Sequence, residues 1–148
     1  MAEKKITLTG QQLVQMAEQE KRRLDEINRK AETFQKFRTE LQGAKDALEE
    51  LSTAKKGDEI LVNLGSGVYI KASLNDTTNA LSSLTGNVFK GKGFKEVSKI
   101  LSQKMENINK TLKKTAEEQQ KTVAKLNQLD QIMVAGKQHM QKQREQQQ

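Results

Sequence analysis

The chain has 148 residues, of which 34% are hydrophobic, 3% aromatic and 30% charged, and it contains neither proline nor cysteine. This composition provides one domain with too little apolar surface for a thick globular core, which argues against a conventional enzyme. The absence of cysteine excludes disulfides and cysteine-based zinc or redox sites. No apolar run approaches the ~18 to 20 residues of a membrane span, and the N-terminus lacks the apolar core of a signal peptide. We expect a cytoplasmic protein that does not contact membranes.

The net charge of +7 is concentrated in the last third of the chain, where residues 94–148 carry 11 basic against 6 acidic side chains. Basic charge can indicate a nucleic-acid partner. However, these lysines are interspersed with Glu96, Glu106, Glu117 and Glu118, and no aromatic platform on which bases could stack accompanies them. A solvated helix face is therefore favoured over nucleic-acid binding.

Two segments have apolar residues at alternating steps of four and three, the spacing of a coiled-coil seam. The first runs from about Leu8 to Ala54, and eight of its eleven seam positions are apolar. Its seam comprises Leu13, Ala17, Glu20, Leu24, Ile27, Ala31, Phe34, Arg38, Leu41, Lys45 and Leu48. The second begins at Phe94 and comprises Phe94, Ser98, Leu101, Met105, Ile108, Leu112, Thr115, Gln119, Thr122, Leu126, Leu129, Met133, Gly136 and Met140. Such narrow seams favour a two-helix coiled coil over a globular bundle, which needs a wider apolar stripe.

Between the helices the apolar period changes to two, which indicates strands. Residues 59–64 and 68–74 flank the turn Gly65-Ser66-Gly67 and predict a first hairpin. Residues 80–85 and 88–90 flank Gly86-Asn87 and predict a second, weaker one, after which Gly91 and Gly93 close the insert. The fold class is α+β, mainly α: a long antiparallel two-helix coiled coil with two inserted β-hairpins.

This order divides one structural domain into a first helix (1–56), a β insert (57–93) and a second helix with a polar tail (94–148). An isolated hairpin is marginally stable in water, and this insert exposes apolar residues that its own chain cannot cover. We therefore expect the strands to join those of neighbouring subunits, which closes edges that would otherwise invite aggregation. The predicted assembly residues are Ile60, Val62, Leu64, Val68, Ile70, Leu74 and Val88.

Motifs for catalysis, cofactors or metals are lacking. The segment Gly86–Gly93 approaches a phosphate-binding loop, but Gly93 stands where the magnesium-binding hydroxyl is needed, and residues 88–90 read as a strand. His139 is the only histidine and has no neighbouring metal ligands in the pattern. The prediction is a non-enzymatic protein without a cofactor or metal.

An apolar excess lies near the open ends of the two helices, where a seam alone does not require it. Methionine adapts to irregular surfaces and suits a binder of many sequences. The alternative is that these residues pack locally around a frayed coil end. The candidate binding residues of this tip are Leu8, Leu13, Val14, Met16, Leu129, Ile132, Met133, Val134 and Met140.

The segment EILVNLGSGVYIKASL (59–74), followed by TGNVFK (85–90) and flanked by two heptad arms, resembles the α class of prefoldin, to which eukaryotic subunit five also belongs. Two hairpins rather than one mark that class. The family commonly has Pro where this chain has Asn63. The resemblance implies a hexamer of two α and four β subunits that oligomerise through a β-barrel platform. Its coiled-coil tips would hold unfolded proteins without ATP and deliver them to a group II chaperonin.

Two other functions use the same features. A structural or filament-forming prefoldin relative would assemble without a β-type partner. A basic coiled-coil protein that binds nucleic acid would show affinity that falls steeply with salt. Composition does not separate the chaperone from the scaffold.

The arms should become less stable towards the tips, because Gly136 costs a helix about 1 kcal/mol relative to Ala and the seam contains Thr115, Gln119 and Thr122. We predict that the last turns splay while the part near the β insert stays paired. Amide hydrogen exchange measures this difference directly, and equal protection at Ile132 and Ile108 would contradict it.

Overall fold

The computed structural model describes residues 8–147, in which four short strands lie between two long helices in the order of the chain. The elements are α1 (Gly10–Thr53), β1 (Glu59–Gly65), β2 (Val68–Ser73), β3 (Asn79–Thr85), β4 (Val88–Gly93) and α2 (Phe94–Gln146). This order confirms the predicted α+β, mainly α, class with two hairpins between two helices.

The chain forms two compact units. We call the first the terminal unit, which extends to Gln35 and resumes at Thr111, and the second the insert unit, which comprises Lys36–Lys110. Each contains part of both helices, and the insert unit also contains all four strands.

Helix α1 begins with a reciprocal cap. The hydroxyl of Thr9 accepts a hydrogen bond from the backbone N–H of Gln12 at 3.2 Å, and the side-chain oxygen of Gln12 accepts one from the N–H of Thr9 at 2.9 Å. Residues at the first turn of a helix have no intrahelical partner for their N–H groups, so this capping box defines the start. The helix therefore begins at Gly10, two residues after the predicted start.

In the terminal unit the two helices pack in antiparallel directions along the predicted seams. The amide nitrogen of Gln119 donates to the side-chain oxygen of Asn28 at 2.9 Å, and Lys125 pairs with Glu20. The number of the partner on α2 falls as the number on α1 rises, which is the antiparallel order. The buried residues of this unit are Leu13, Ala17, Glu20, Ile27, Thr115, Thr122 and Leu129, all of which are predicted seam positions.

In the insert unit the seam is shallower. Phe94 is buried, while Leu41, Leu48, Met105 and Ile108 are half-buried. Arg38 is exposed, although its position falls on the predicted seam. The long arginine side chain can extend its charged group from the seam into water at little cost in free energy. Its heptad position therefore does not determine whether it is buried.

The first hairpin pairs β1 with β2 in antiparallel register, with Ile60 opposite Ala72 and Val62 opposite Ile70. Its turn is Ser66-Gly67, whose φ angles of 51° and 77° are both positive, as a type I′ turn requires. The register shifts between Asn63 and Gly65. The Asn63 side chain accepts a hydrogen bond from the N–H of Gly65 at 2.8 Å, so Asn63 also stabilises this irregularity.

The second hairpin pairs β3 with β4 and is longer than predicted. Strand β4 continues beyond the predicted Lys90 through Gly91 to Gly93, which lies opposite Asn79, and α2 begins at Phe94. Gly93 is therefore the last residue of a strand, and the insert ends there. Glycine is disfavoured in a strand but not excluded where pairing continues. The turn has a positive φ of 53° at Gly86.

Helix α2 follows β4 without a linker. Phe94 is its first residue, and the N–H of Phe94 donates to the carbonyl oxygen of Thr78 at 2.8 Å. At its other end the helix continues to Gln146, so the glutamine-rich tail from Gln138 is helical as well as solvated. Among the described residues, neither helix carries an apolar stretch of the length and hydropathy needed to cross a bilayer.

The connection between the hairpins is fixed by Asp76. Its carboxylate accepts hydrogen bonds from the backbone N–H groups of Thr78 at 2.9 Å and Asn79 at 3.0 Å, and from the Thr78 hydroxyl at 3.1 Å. These donors, led by the two backbone groups, stabilise the charged form, so the pKa of Asp76 lies below its ordinary value of 3.8.

We predict that Asp76 stabilises the folded connection above pH 3.8 and that this contribution is lost as the pH falls through its lowered pKa. The sign follows because the folded chain binds the proton less readily than the unfolded chain does. Carbon-13 titration of the Asp76 carboxyl group tests it. A midpoint equal to that of the same group in the urea-unfolded chain would contradict the prediction.

Candidate functional site

The first hairpin leaves an apolar face uncovered. Ile60, Val62, Ile70 and Ala72 lie on the same side of the two-stranded sheet, because they occupy alternate, directly paired positions. Ile60 and Ala72 are half-buried, whereas Val62 and Ile70 are exposed. An apolar face on an isolated two-stranded sheet is typical of a surface that another strand or sheet covers.

The other predicted assembly residues lie around this face. Leu64 and Val68 flank the turn and are exposed, and Val88 is exposed at the start of β4. Leu74 lies beyond the end of β2 and is half-buried. Its N–H donates to the carbonyl of Asp58 at 2.9 Å, and its carbonyl accepts from Gly57 at 2.7 Å, so Leu74 also closes the base of the hairpin.

The second hairpin carries an apolar face that the sequence prediction missed. Leu81 and Phe89 lie on one side of the sheet and are 76% and 57% exposed, while Lys90 and Lys92 lie on the other. The signal was present in the predicted strands, because Leu81 and Ser83 are alternate residues of β3 and Ser83 lies opposite Phe89. Leu61, Tyr69 and Leu84 are further exposed apolar residues of the strands.

At the tip, the predicted binding residues divide into two groups. Leu8, Val14, Ile132, Val134 and Met140 are exposed, with fractions between 38% and 56%. These five side chains form the part of the set that is available to a partner without any change in the structure. Residues 1–7 and 148 lie outside the part of the chain that the structure describes.

The remaining predicted tip residues are packed between the helices. Leu13 and Leu129 are buried, and together with Ala17 they form a small apolar cluster on which Met16 and Met133 are packed. We call these five residues the terminal cluster. The local-packing alternative therefore holds for Leu13, Met16, Leu129 and Met133 in this conformation, but not for the exposed group.

A charged group occupies the seam immediately beside the terminal cluster. Glu20 is 8% exposed, and one of its carboxylate oxygens pairs with the ammonium group of Lys125. Its second oxygen, Oε2, has no hydrogen-bond partner within the described part of the chain. Burying a carboxylate is costly unless it is paired and hydrogen-bonded, so Glu20 stabilises the seam less than an apolar residue at the same position would.

Two exposed apolar residues on the helices lie outside the predicted sets. Val123 is 40% exposed in the terminal unit, and Phe37 is 48% exposed in the insert unit. Phe37 lines a groove of about 530 Å³ together with Leu41 and Ile108. Phe37 and Val123 fall one position from a seam residue, where a heptad pattern alone does not distinguish a flank from a binding surface.

Within the described part of the chain, few side chains are arranged as a metal site, a phosphate-binding loop or a catalytic group would require. The described residues contain no group of three or more His, Cys, Asp and Glu side chains that could hold a metal ion. The segment that approached a phosphate-binding loop lies in β3–β4 pairing, with Lys90 opposite Ser82 and Lys92 opposite Ala80. His139 is exposed, and its Nε2 lies 3.1 Å from the amide nitrogen of Gln143. What the arrangement provides is apolar surface for binding.

Comparison with known proteins agrees with this architecture. The family model described as "Prefoldin subunit" matches residues 18–139. The prefoldin subunit alpha of Thermofilum pendens is 26% identical over 106 residues, which cover 72% of this chain and 82% of that protein. The residues that the family model matches include most of both helices and the whole β insert.

A solved structure has the same fold. The filamentous PFD from Methanocaldococcus jannaschii, determined by cryo-EM, superposes with a TM-score of 0.64 and covers 76% of this chain and 93% of its own. Its sequence identity is 14%, so the similarity concerns the fold.

We predict that the isolated chain associates through its strands and sediments with a mass above the 16.7 kDa of one subunit. Ile70→Lys places a charge on the apolar face of the first hairpin and should shift the protein towards the monomer. Lys71→Ser, on the opposite face of the same strand, removes only an exposed pair with Glu59 and should leave the mass unchanged. Analytical ultracentrifugation distinguishes the two, and equal masses for both variants would contradict the assignment of the face.

Proposed function

Because the chain belongs to the prefoldin family, we propose that it acts as an α-type chaperone subunit that binds unfolded polypeptides at its tip without ATP. The family is one of chaperones rather than enzymes. The finer assignment to the α type is supported by the two hairpins and by the similarity to the prefoldin subunit alpha of Thermofilum pendens.

The observation that carries the proposal is the exposed apolar group at the tip. Within the terminal unit, Val14, Ile132 and Val134 are each about half exposed although they lie beside buried seam residues. Apolar side chains that remain in water are stabilised by burial against a partner, at about 25 cal/mol per Å² of covered surface. An unfolded polypeptide offers such partners along its whole length, and contacts of this kind do not require a particular sequence.

Assembly follows from the β insert. The apolar faces of the two hairpins, represented by Ile70 and Phe89, need strands from other subunits to cover them. We propose that β-type prefoldin subunits supply those strands in a hexamer of two α and four β subunits, and that a group II chaperonin receives the client. A cytoplasmic location agrees with these partners.

A second candidate is a structural scaffold that assembles into filaments. The observation that favours it is the superposition with the filamentous PFD from Methanocaldococcus jannaschii. The two candidates differ in their partner. A chaperone subunit forms a closed particle with a β-type subunit, whereas a scaffold assembles with copies of itself. Co-expression with a β-type subunit, followed by mass measurement, separates them.

We predict that the paired substitution Ile132→Ser and Val134→Ser weakens the suppression of client aggregation. Because each side chain is only about half exposed, the two replacements together remove about 1–2 kcal/mol of burial from a client complex, so about tenfold more chaperone should be needed for the same effect. The measurement is light scattering of a denatured client diluted into the assembled protein without nucleotide.

The matched control is Val123→Ser, which changes an exposed valine of the same helix that lies outside the tip set. This variant should suppress aggregation as the unmodified chain does. All variants should assemble equally, as judged by mass. If the paired variant and the control suppress aggregation equally well, the tip is not the client-binding surface.

A further inference from the structure

Glu20 is the feature that the proposed function does not use. Its side chain lies at a seam position, is 10% exposed and pairs with Lys125, whose side chain is 50% exposed. A coiled-coil seam normally places leucine or another apolar residue at such a position. A carboxylate there stabilises the paired helices only while its cation is in place.

The terminal cluster depends on this pair more than the rest of the seam does. On its side of Glu20 the buried apolar residues are Leu13, Ala17 and Leu129. On the other side Leu24 and Leu126 are only half-buried, and the next buried apolar residue of α1 is Ile27. Between the terminal cluster and Ile27 the seam of α1 therefore contains a carboxylate and one half-buried leucine, so the cluster can open as a local unit.

We infer that the Glu20–Lys125 pair is a latch that controls how much apolar surface the tip presents to a client. With the pair formed, the terminal cluster is closed and only the exposed tip residues are available. With the pair broken, the helix ends separate, and Leu13, Met16, Leu129 and Met133 join the client-binding surface. This inference rests on the proposed function, and it assigns Glu20 and Lys125 as positioning residues that act through the terminal cluster.

The physical basis is an asymmetry in the free energy of buried ion pairs. Replacing both partners by apolar residues is often neutral or stabilising, whereas removing one partner leaves an uncompensated buried charge and is strongly destabilising. In this chain the second oxygen of Glu20 already lacks a hydrogen-bond partner among the described residues, so Lys125 alone balances the charge. A single and a double substitution at these two positions should therefore act in opposite directions.

The test uses the full-length chain in its assembled form with four variants. Lys125→Met leaves the carboxylate of Glu20 without a cation and should open the cluster. Glu20→Leu combined with Lys125→Met gives an apolar seam and should close it. Lys125→Arg retains the charge and should behave as the unmodified chain. Glu106→Gln is the matched control, because it breaks an exposed Glu–Lys pair on the same helix.

Two quantities are measured for each variant. The first is amide hydrogen exchange at residues 13–17 and 129–133, with residues 105–108 as the reference. The second is the dissociation constant for reduced, carboxymethylated α-lactalbumin, a permanently unfolded probe. Lys125→Met should accelerate exchange at the tip about tenfold and tighten probe binding several-fold, while the double variant should do the reverse. The reference exchange should not change.

The outcomes separate the latch from the proposed function. If the double variant slows exchange at the tip and yet binds the probe as tightly as the unmodified chain, the latch does not control client binding. Unchanged exchange in Lys125→Met overturns the latch itself. If the unmodified chain does not bind the probe at all, the proposed function fails, whatever the variants do to exchange.

Discussion

The constraint on which the rest of the structure depends is a seam that is about one side chain wide. Among the described residues, the buried hydrophobic ones are Leu13, Ala17, Ile27, Phe94 and Leu129. These residues hold two helices together but cover nothing else, because a helix has only a narrow stripe in contact with a single partner helix. The apolar residues of the strands and the tip consequently remain in water. Both candidate surfaces are therefore exposed for the same reason, because the narrow seam cannot cover them.

Sequence periodicity predicted the helices well because burial follows it directly. Each buried residue of the terminal unit is a predicted seam position, including the polar residues Glu20, Thr115 and Thr122. The paired positions of the first hairpin also followed from the alternation of Ile60, Val62, Ile70 and Ala72. In these cases one geometric repeat determines which side chains face each other, so a repeat in the sequence is sufficient information.

The sequence predictions were incomplete where the spacing of apolar residues does not determine the structure. The second strand of the second hairpin was predicted to end at Lys90, but its pairing with Leu81 and Asn79 continues through Gly91 to Gly93, the residue before α2, although glycine is disfavoured in strands. The apolar face formed by Leu81 and Phe89 was also missed, although Ser83, two residues from Leu81, lies opposite Phe89 within the predicted strands. The predicted tip residues formed a single set in the sequence, whereas the structure separates an exposed group from the packed terminal cluster. Heptad spacing identifies candidates for the seam, but it does not reveal how far towards the helix ends the seam stays closed.

The apolar faces of the strands and the apolar residues of the tip also require different properties from similar side chains. The strand faces need partners that remain in place, so extensive apolar contact and backbone pairing suit them. A surface that binds and releases many polypeptides needs apolar contact that is limited in extent and can change, which methionine and valine at a loosely packed end provide. The carboxylate of Glu20 interrupts the apolar seam beside the terminal cluster. A leucine there would add burial to the terminal cluster and would favour a permanently closed tip, at the expense of surface for a client.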